Sequence, residues 1–215
     1  MYPRITYGIT VCNEFEELNT LLSTLIPLIE GEDEILILQD ITDINNKVTE
    51  VINTHISQYP ERIRTISSTL NKDFASFKNK LIEHANTSSD YLFQLDADEV
   101  PNEFLIENIK SIIAINSQID VFYIPRVNKV LGITNEHIQK WGWHVDNQQR
   151  INYPDLQSRL FKLNRNIYWQ NKVHEVLCNH ESYTALPFED HEDFCLYHIK
   201  TIEKQEKQNK LYEAI

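Results

Sequence analysis

A chain of 215 residues with 41% hydrophobic composition can bury one large core, and no Pro-, Gly- or Ser-rich linker divides it, so a single domain, 1–215, is expected. Its 20 Lys and Arg against 32 Asp and Glu leave a net charge of −12, which repels nucleic-acid phosphates and argues against a nucleic-acid partner. Its four glycines, Gly8, Gly31, Gly132 and Gly142, cannot assemble a GxGxxG fingerprint or a GxxxxGK phosphate loop, which removes dinucleotide oxidoreductases and P-loop kinases.

Strand and helix patterns alternate from the start of the chain. Ile5, Thr6, Ile9, Thr10 and Val11 give Ile5 to Cys12 the β-branched content of a strand, and Asn13 with Glu16 has the spacing of a reciprocal helix cap. Phe15, Leu18, Leu22 and Leu25 then fall on one helical face. The plan repeats: Glu34 to Leu38 reads as a continuous apolar strand, Asp40-Ile-Thr-Asp43 as a turn, and Val48, Val51, Ile52, His55 and Ile56 as a helical stripe stopped by Pro60. A third strand is expected from Arg62 to Ser67, a helix through Phe74, Phe77, Leu81 and Ile82, and a fourth strand from Tyr91 to Leu95. Strands this apolar, alternating with amphipathic helices, predict an α/β fold with a mostly parallel sheet and helices on both faces. After a helix from Phe104 to Ile113 the pattern changes. A strand from Val121 to Val127, an aromatic segment at Trp141-Gly-Trp143-His144, short strands near Arg159 to Leu163 and Ile167 to Trp169, and a charged helix from Ile199 to Ile215 follow.

In open sheets of this kind, ligands bind beyond the carboxyl ends of the strands. Asn13 and Glu14, Gln39 and Asp40, and Asp96 and Asp98 all fall there. The densest group is Leu95-Asp96-Ala-Asp98-Glu99, where carboxylates this close repel unless a cation stands between them. Asp96 and Asp98 can both turn toward a hard divalent ion, and one or two carboxylates plus substrate phosphates is how Mg2+ or Mn2+ is usually held. The expected substrate is then a nucleoside diphosphate compound. A lesser task for Asp98 and Glu99, favouring the positive end of a helix opened by Pro101, leaves Asp96 unexplained.

Cys12, Cys178 and Cys195 form no CxxC pair, so neither a disulfide framework nor a zinc knuckle is indicated, and a reducing, cytoplasmic setting is expected. Met1 to Thr6 lacks the basic and apolar regions of a signal peptide. The most apolar stretch, Leu21 to Ile29, is interrupted by Ser23, Thr24 and Pro27 and falls short of the ~20 apolar residues that span a bilayer. No transmembrane segment is expected, which leaves peripheral membrane contact open.

Several fragments together, in order and spacing, resemble a glycosyltransferase of family 2 with the GT-A fold. They are Thr10-Val-Cys-Asn-Glu14, Asp40-Ile-Thr-Asp43, Asp73-Phe-Ala-Ser-Phe-Lys78-Asn79, Leu95-Asp-Ala-Asp-Glu99, Tyr153-Pro-Asp-Leu-Gln-Ser-Arg-Leu-Phe161, Val173-His-Glu175 and Leu196-Tyr-His198. The later ones resemble the branch containing bacterial lipopolysaccharide core β-glucosyltransferases. The resemblance implies inverting, metal-dependent transfer from a nucleotide-diphosphate donor, expected to be a UDP-sugar, to a saccharide or glycolipid hydroxyl. It also implies a nucleotide-sugar-binding half, 1–116, and an acceptor-side half with a small lobe, 117–215.

Residue by residue, the resemblance implies that Asp96 and Asp98 hold Mn2+ or Mg2+ on the donor diphosphate, that Thr10, Glu14, Gln39 and Asp40 cradle the nucleoside, and that Lys78 lies near the donor. Gln39 departs from the aspartate usual at its position, although an amide can still pair with a uracil edge. Lys78 also reads as a solvated helix lysine. His174 or His198 would complete the metal site, while any one of eight histidines also reads as an ordinary surface group. The base that takes the acceptor's proton is expected to be Glu175, with Asp155 as its rival. Trp141, Trp143 and His144 suit either a sugar-stacking wall or a packed corner, and Arg159 either a structural or a phosphate-facing role. A sugar-nucleotide nucleotidyltransferase would need glycines where Val11-Cys-Asn-Glu-Phe15 has none, and a non-catalytic binding module fits poorly with intact Asp96, Asp98, His174 and Glu175.

Overall fold

The computed structural model describes residues 2–213. In chain order the elements are β1 (Ile5–Val11), α1 (Phe15–Leu25), β2 (Glu34–Asp40), α2 (Asn46–Gln58), β3 (Ile63–Ser68), α3 (Phe74–His84), β4 (Tyr91–Asp96), β5 (Val100–Pro101), α4 (Glu103–Ile115) and β6 (Val121–Leu131). They continue with α5 (Asn135–Trp141), β7 (Ile151–Lys162), β8 (Tyr168–Gln170), β9 (Val176–Cys178), β10 (Tyr183–Ala185), β11 (Leu196–Thr201) and α6 (Ile202–Glu213).

One sheet runs β3-β2-β1-β4-β7-β6-β11-β5, with β10 beside β6. β3, β2, β1 and β4 are parallel, as the near-continuous apolar runs of β2 and β4 predict. β7 then runs antiparallel to both β4 and β6, and β6 is parallel to β11. Alternation along β2 divides the core: Ile35 and Ile37 pack with Leu18, Val48 and Ile109 of α1, α2 and α4, whereas Leu36 and Leu38 pack with Phe77 and Leu81 of α3 and with Trp169 of β8. Each fully buried Leu, Ile or Phe side chain contributes about 1.5–3 kcal/mol. Gly8 lets α3 come close to β1, because a Cβ there would meet Leu92 and Leu81 at 3.0 and 3.1 Å.

Several boundaries differ from the sequence reading for identifiable reasons. Asn13 does not cap α1. Leu18 N–H bonds the Glu14 carbonyl, and the Glu14 carboxylate folds back to the N–H groups of Cys12 and Asn13 at 2.9 Å, so Glu14 holds the turn. Pro101 lies in β5, and α4 is capped by Asn102, whose side chain accepts from Phe104 N–H, so the acids before it do not serve that helix. The expected C-terminal helix starts later, because Ile199 to Thr201 pair with β6 in β11; Ala214 and Ile215 lie outside the described residues. The short strand expected near Arg159 to Leu163 is the end of the 12-residue β7, whose earlier part carries polar residues and escaped the apolar pattern. Among the described residues no helix is long and apolar enough to cross a membrane.

Candidate functional site

The carboxyl ends of β1, β2 and β4 open into a cavity of about 410 Å³, within the range of small-ligand sites. Thr10, Cys12 and Glu14 line it from β1, Asp40 from β2, and Asp96 and Asp98 from β4. Phe74, Phe77 and Lys78 of α3 form one wall. Arg126, Asn128 and Val130 of β6, His198 and Lys200 of β11, and Trp143, Ile151 and Asn152 close the other side.

The turn after β4 sorts its acids. Asp96 N–H bonds the Glu99 carboxylate, Glu99 N–H bonds the Asp96 carbonyl, and Ala97 N–H bonds Thr10 O, which folds the segment tightly under β1. Glu99 is fully buried and accepts from Arg126 and Arg159. Asp96 accepts the Thr10 hydroxyl on one oxygen at 2.7 Å and the Arg159 guanidinium on the other. The buried Arg159 thus stands between Asp96 and Glu99, and both Asp96 oxygens accept hydrogen bonds. Burial pushes the Asp96 carboxyl up, but Arg159, Lys78, the Thr10 hydroxyl and Arg126 hold it well below the usual carboxylate range.

Asp98 points instead to His198, with its carboxylate 3.1 Å from Nε2. The other ring nitrogen, Nδ1, lies 2.7 Å from Asn128 Oδ1, and the Asn128 amide donates to Asp155 at 2.7 Å. Because an ionised Asp155 can only accept, Asn128 must present its oxygen to His198, and Nδ1 carries the proton. Nε2 and the Asp98 oxygen then repel unless a proton or a metal ion stands between them. Burial raises the Asp98 carboxyl, and the hydrogen bond and charge of His198 outweigh this and bring it below its ordinary value; Asp96 opposes them and Lys200 assists. A hard carboxylate beside an imidazole of fixed tautomer fits a divalent ion such as Mn2+ or Mg2+. Among the described residues no group of three His, Cys, Asp or Glu side chains could hold a metal, so the other ligands would be water or substrate oxygens.

Glu175 reaches the cavity through the β8–β9 hairpin. Asn79 of α3 clamps that hairpin, donating to Trp169 O and accepting from Trp169 N–H at 2.9 and 2.8 Å, while the Trp169 indole bonds Gln94. This brings Glu175 within 3.4 Å of Lys78, whose ammonium also lies 5.0 Å from the Trp169 ring centre. Lys78 is thus no solvated lysine.

Three of the expected site residues do not line the cavity. Gln39 is buried and donates to Thr49 of α2 at 2.9 Å. His174 precedes Glu175 in the hairpin loop at a left-handed φ of 55° that leaves its side chain exposed. Asp155 accepts from Arg126, Asn128 and Gln157, and burial, which raises its carboxyl, is outweighed by those donors, Arg126 foremost. Asp40 does line the cavity, with one oxygen accepting from Thr42 and from Leu70 N–H. Burial, then Glu14 and Asp40, push the Cys12 thiol up to about 12, which disfavours its thiolate at neutral pH. Trp143 lines the cavity and packs 4.7 Å from Trp141, which stacks on His137. The sequence reading missed Arg126, Asn128 and Lys200; polar residues at alternate positions in otherwise apolar strands were the available signal.

Residues 6–193 match the family model described as glycosyl transferase family 2, and the chain belongs to that family. No curated protein matches it in sequence. Among solved structures it is similar to S. aureus TarS, at a TM-score of 0.60 and 11% identity over 91% of this chain and 36% of that one. It is also similar to TarS 1-349, at 0.55 and 10% over 91% and 60%, and to GalNAc-T7 with UDP, GalNAc and Mn2+, at 0.50 and 13% over 60% and 23%. At such identities the likeness is one of fold, the GT-A fold, and the chain spans between about a quarter and three fifths of those proteins.

The buried pairing gives a stability test. Arg159→Met leaves the Asp96 carboxylate without a guanidinium and Glu99 with Arg126 alone, and is expected to cost about 3–5 kcal/mol in urea unfolding at pH 7. Asp96 has a depressed folded-state pKa, so the stabilisation it gives is present above the usual carboxylate range and is lost as pH falls through its folded value. The difference between wild type and variant should therefore shrink below about pH 4. A variant as stable as wild type, or a gap that does not change with pH, contradicts the pairing.

Proposed function

We propose that this chain is a glycosyltransferase domain, 1–215, that moves a sugar from a nucleoside-diphosphate donor, with UDP as the expected nucleotide, to a hydroxyl of a saccharide or glycolipid, with inversion. The observation that carries this reading is the Asp98–His198 pair, 3.1 Å apart in the cavity at the strand ends of a family 2 chain. In this reading residues 1–116 form the nucleotide-sugar-binding half, and 117–215 form the acceptor-side half, which also lends His198 to the donor's metal.

Asp98 and His198 would hold Mn2+ or Mg2+. When bound, that ion offsets the negative charge of the departing diphosphate. The Mn2+ and UDP in the GalNAc-T7 structure are in keeping with this. Asp155, through Asn128, orients His198, a positioning role rather than that of a base. Thr10, Glu14 and Asp40, which line the cavity after β1 and β2, would face the nucleoside, and Trp143 with Asn152 would suit a sugar face.

Glu175 is the proposed base, because it lines the cavity and Asp155 does not. The acceptor oxygen forms its bond to the anomeric carbon as the bond to the diphosphate oxygen breaks, and the hydroxyl proton passes to the Glu175 carboxylate. Lys78, 3.4 Å away, keeps that carboxylate oriented.

Incubation with UDP-, GDP-, CMP- and dTDP-sugars, with Mn2+ or Mg2+, is expected to release nucleotide from one donor and to stop when chelator is added. Absence of both binding and release across the panel, with either metal, contradicts the reading. Glu175→Gln should keep nucleotide binding and lose transfer by roughly 100-fold or more. Asp155→Asn should instead raise the Mn2+ concentration needed for half activity by about 10-fold or more. If Asp155→Asn abolishes transfer at saturating Mn2+ while Glu175→Gln is unaffected, the base is Asp155.

A further inference from the structure

β6 and β11 lie side by side with Asn128 opposite His198 and Val130 opposite Lys200. Strand alternation turns these residues, with Arg126, to the same cavity. The cations there are unequally matched. Arg126 rests on Glu99 and Asp155, and Lys78 rests on Glu175. Lys200 donates to a neutral group, the Gln208 side-chain oxygen of α6, at 2.7 Å, and among the described residues no carboxylate lies within ion-pair distance of it. An ammonium facing a cavity and met by an amide gains a much stronger hydrogen bond when an anionic oxygen replaces the amide. Lys200 also follows His198 by one pleat repeat, a rise of about 6.6–6.8 Å that a four-carbon side chain covers readily.

Resting on the donor reading of this cavity, we propose that Lys200 binds the donor's diphosphate, exchanging Gln208 for a phosphate oxygen. Lys200 and the ion held by Asp98 and His198 then act on the same anionic group. The residue thus selects for the phosphates rather than for the base or the sugar. Gln208 satisfies the ammonium until the donor arrives, and α6, which has few apolar residues among Ile202 to Lys210, contributes the cavity edge through Gln205 and Gln208.

Calorimetric titration tests this, using UDP, GDP, CDP and dTDP with Mn2+, then the nucleoside corresponding to whichever diphosphate binds. Lys200→Met is expected to weaken the diphosphate about 10- to 100-fold, leave the nucleoside unchanged, and recover most of the loss as Lys200→Arg. Thermal unfolding of both variants verifies that each is folded. If wild type binds a diphosphate and Lys200→Met binds it equally, this assignment fails while the donor reading stands. If Lys200→Met loses nucleoside and diphosphate alike, the residue is structural and the assignment also fails. If wild type binds none of the four, both readings fall together.

Discussion

Asp96, Asp98 and Glu99 crowd their negative charges into one short turn, and such a turn is tenable only where positive charge meets it. Arg126 of β6 and Arg159 of β7 supply that charge from the antiparallel part of the sheet, and His198 of β11 meets Asp98. The same contacts tie the parallel β3-β2-β1-β4 unit to the strands that follow it. A buried ion pair of this kind adds little net stability compared with an apolar replacement, yet removing one partner is costly because the other stays buried. Its main consequence is division of labour: Glu99 is committed to the two arginines, Asp96 reaches the cavity while held by Arg159 and Thr10, and Asp98 reaches it beside His198.

Further relays build on that division. Arg126 joins Glu99 to Asp155, Asp155 orients Asn128, and Asn128 fixes the proton on His198 Nδ1. On the opposite wall, Asn79 and Gln94 hold Trp169, and the hairpin so anchored carries Glu175 to Lys78. In the proposed reading, side chains locked by their own hydrogen bonds surround a substrate that brings the remaining metal ligands. In the same reading Lys200 gives up Gln208 to meet the incoming diphosphate.

The parallel half was legible because β1, β2 and β4 are buried on both faces and its helices show a single apolar stripe: Ile35 to Leu38 and the Leu18, Leu22, Leu25 row need no long-range knowledge. The second half was harder to read. β7 carries Asn152, Asp155 and Gln157 in its first half, which breaks the apolar run, and its pairing with β4 and β6 depends on residues far away in sequence. Asp96 and Asp98 stood out as a pair, but sequence spacing cannot tell which faces an arginine and which faces a histidine. Asp155 looked like a base because its donors, Arg126 and Asn128, come from another strand. His174 looked like a ligand because adjacency to Glu175 says nothing of a left-handed φ that leaves it outside.

In the proposed reading Asp98 and His198, rather than Asp96, take the divalent ion while Asp96 stays on Arg159. Manganese anomalous diffraction from crystals grown with UDP and Mn2+ examines this directly. The account predicts one peak at coordination distance from the Asp98 carboxylate and His198 Nε2, with the Arg159 pairing to Asp96 and Glu99 intact. A peak ligated by Asp96 with Arg159 displaced, or manganese held away from His198, would contradict it.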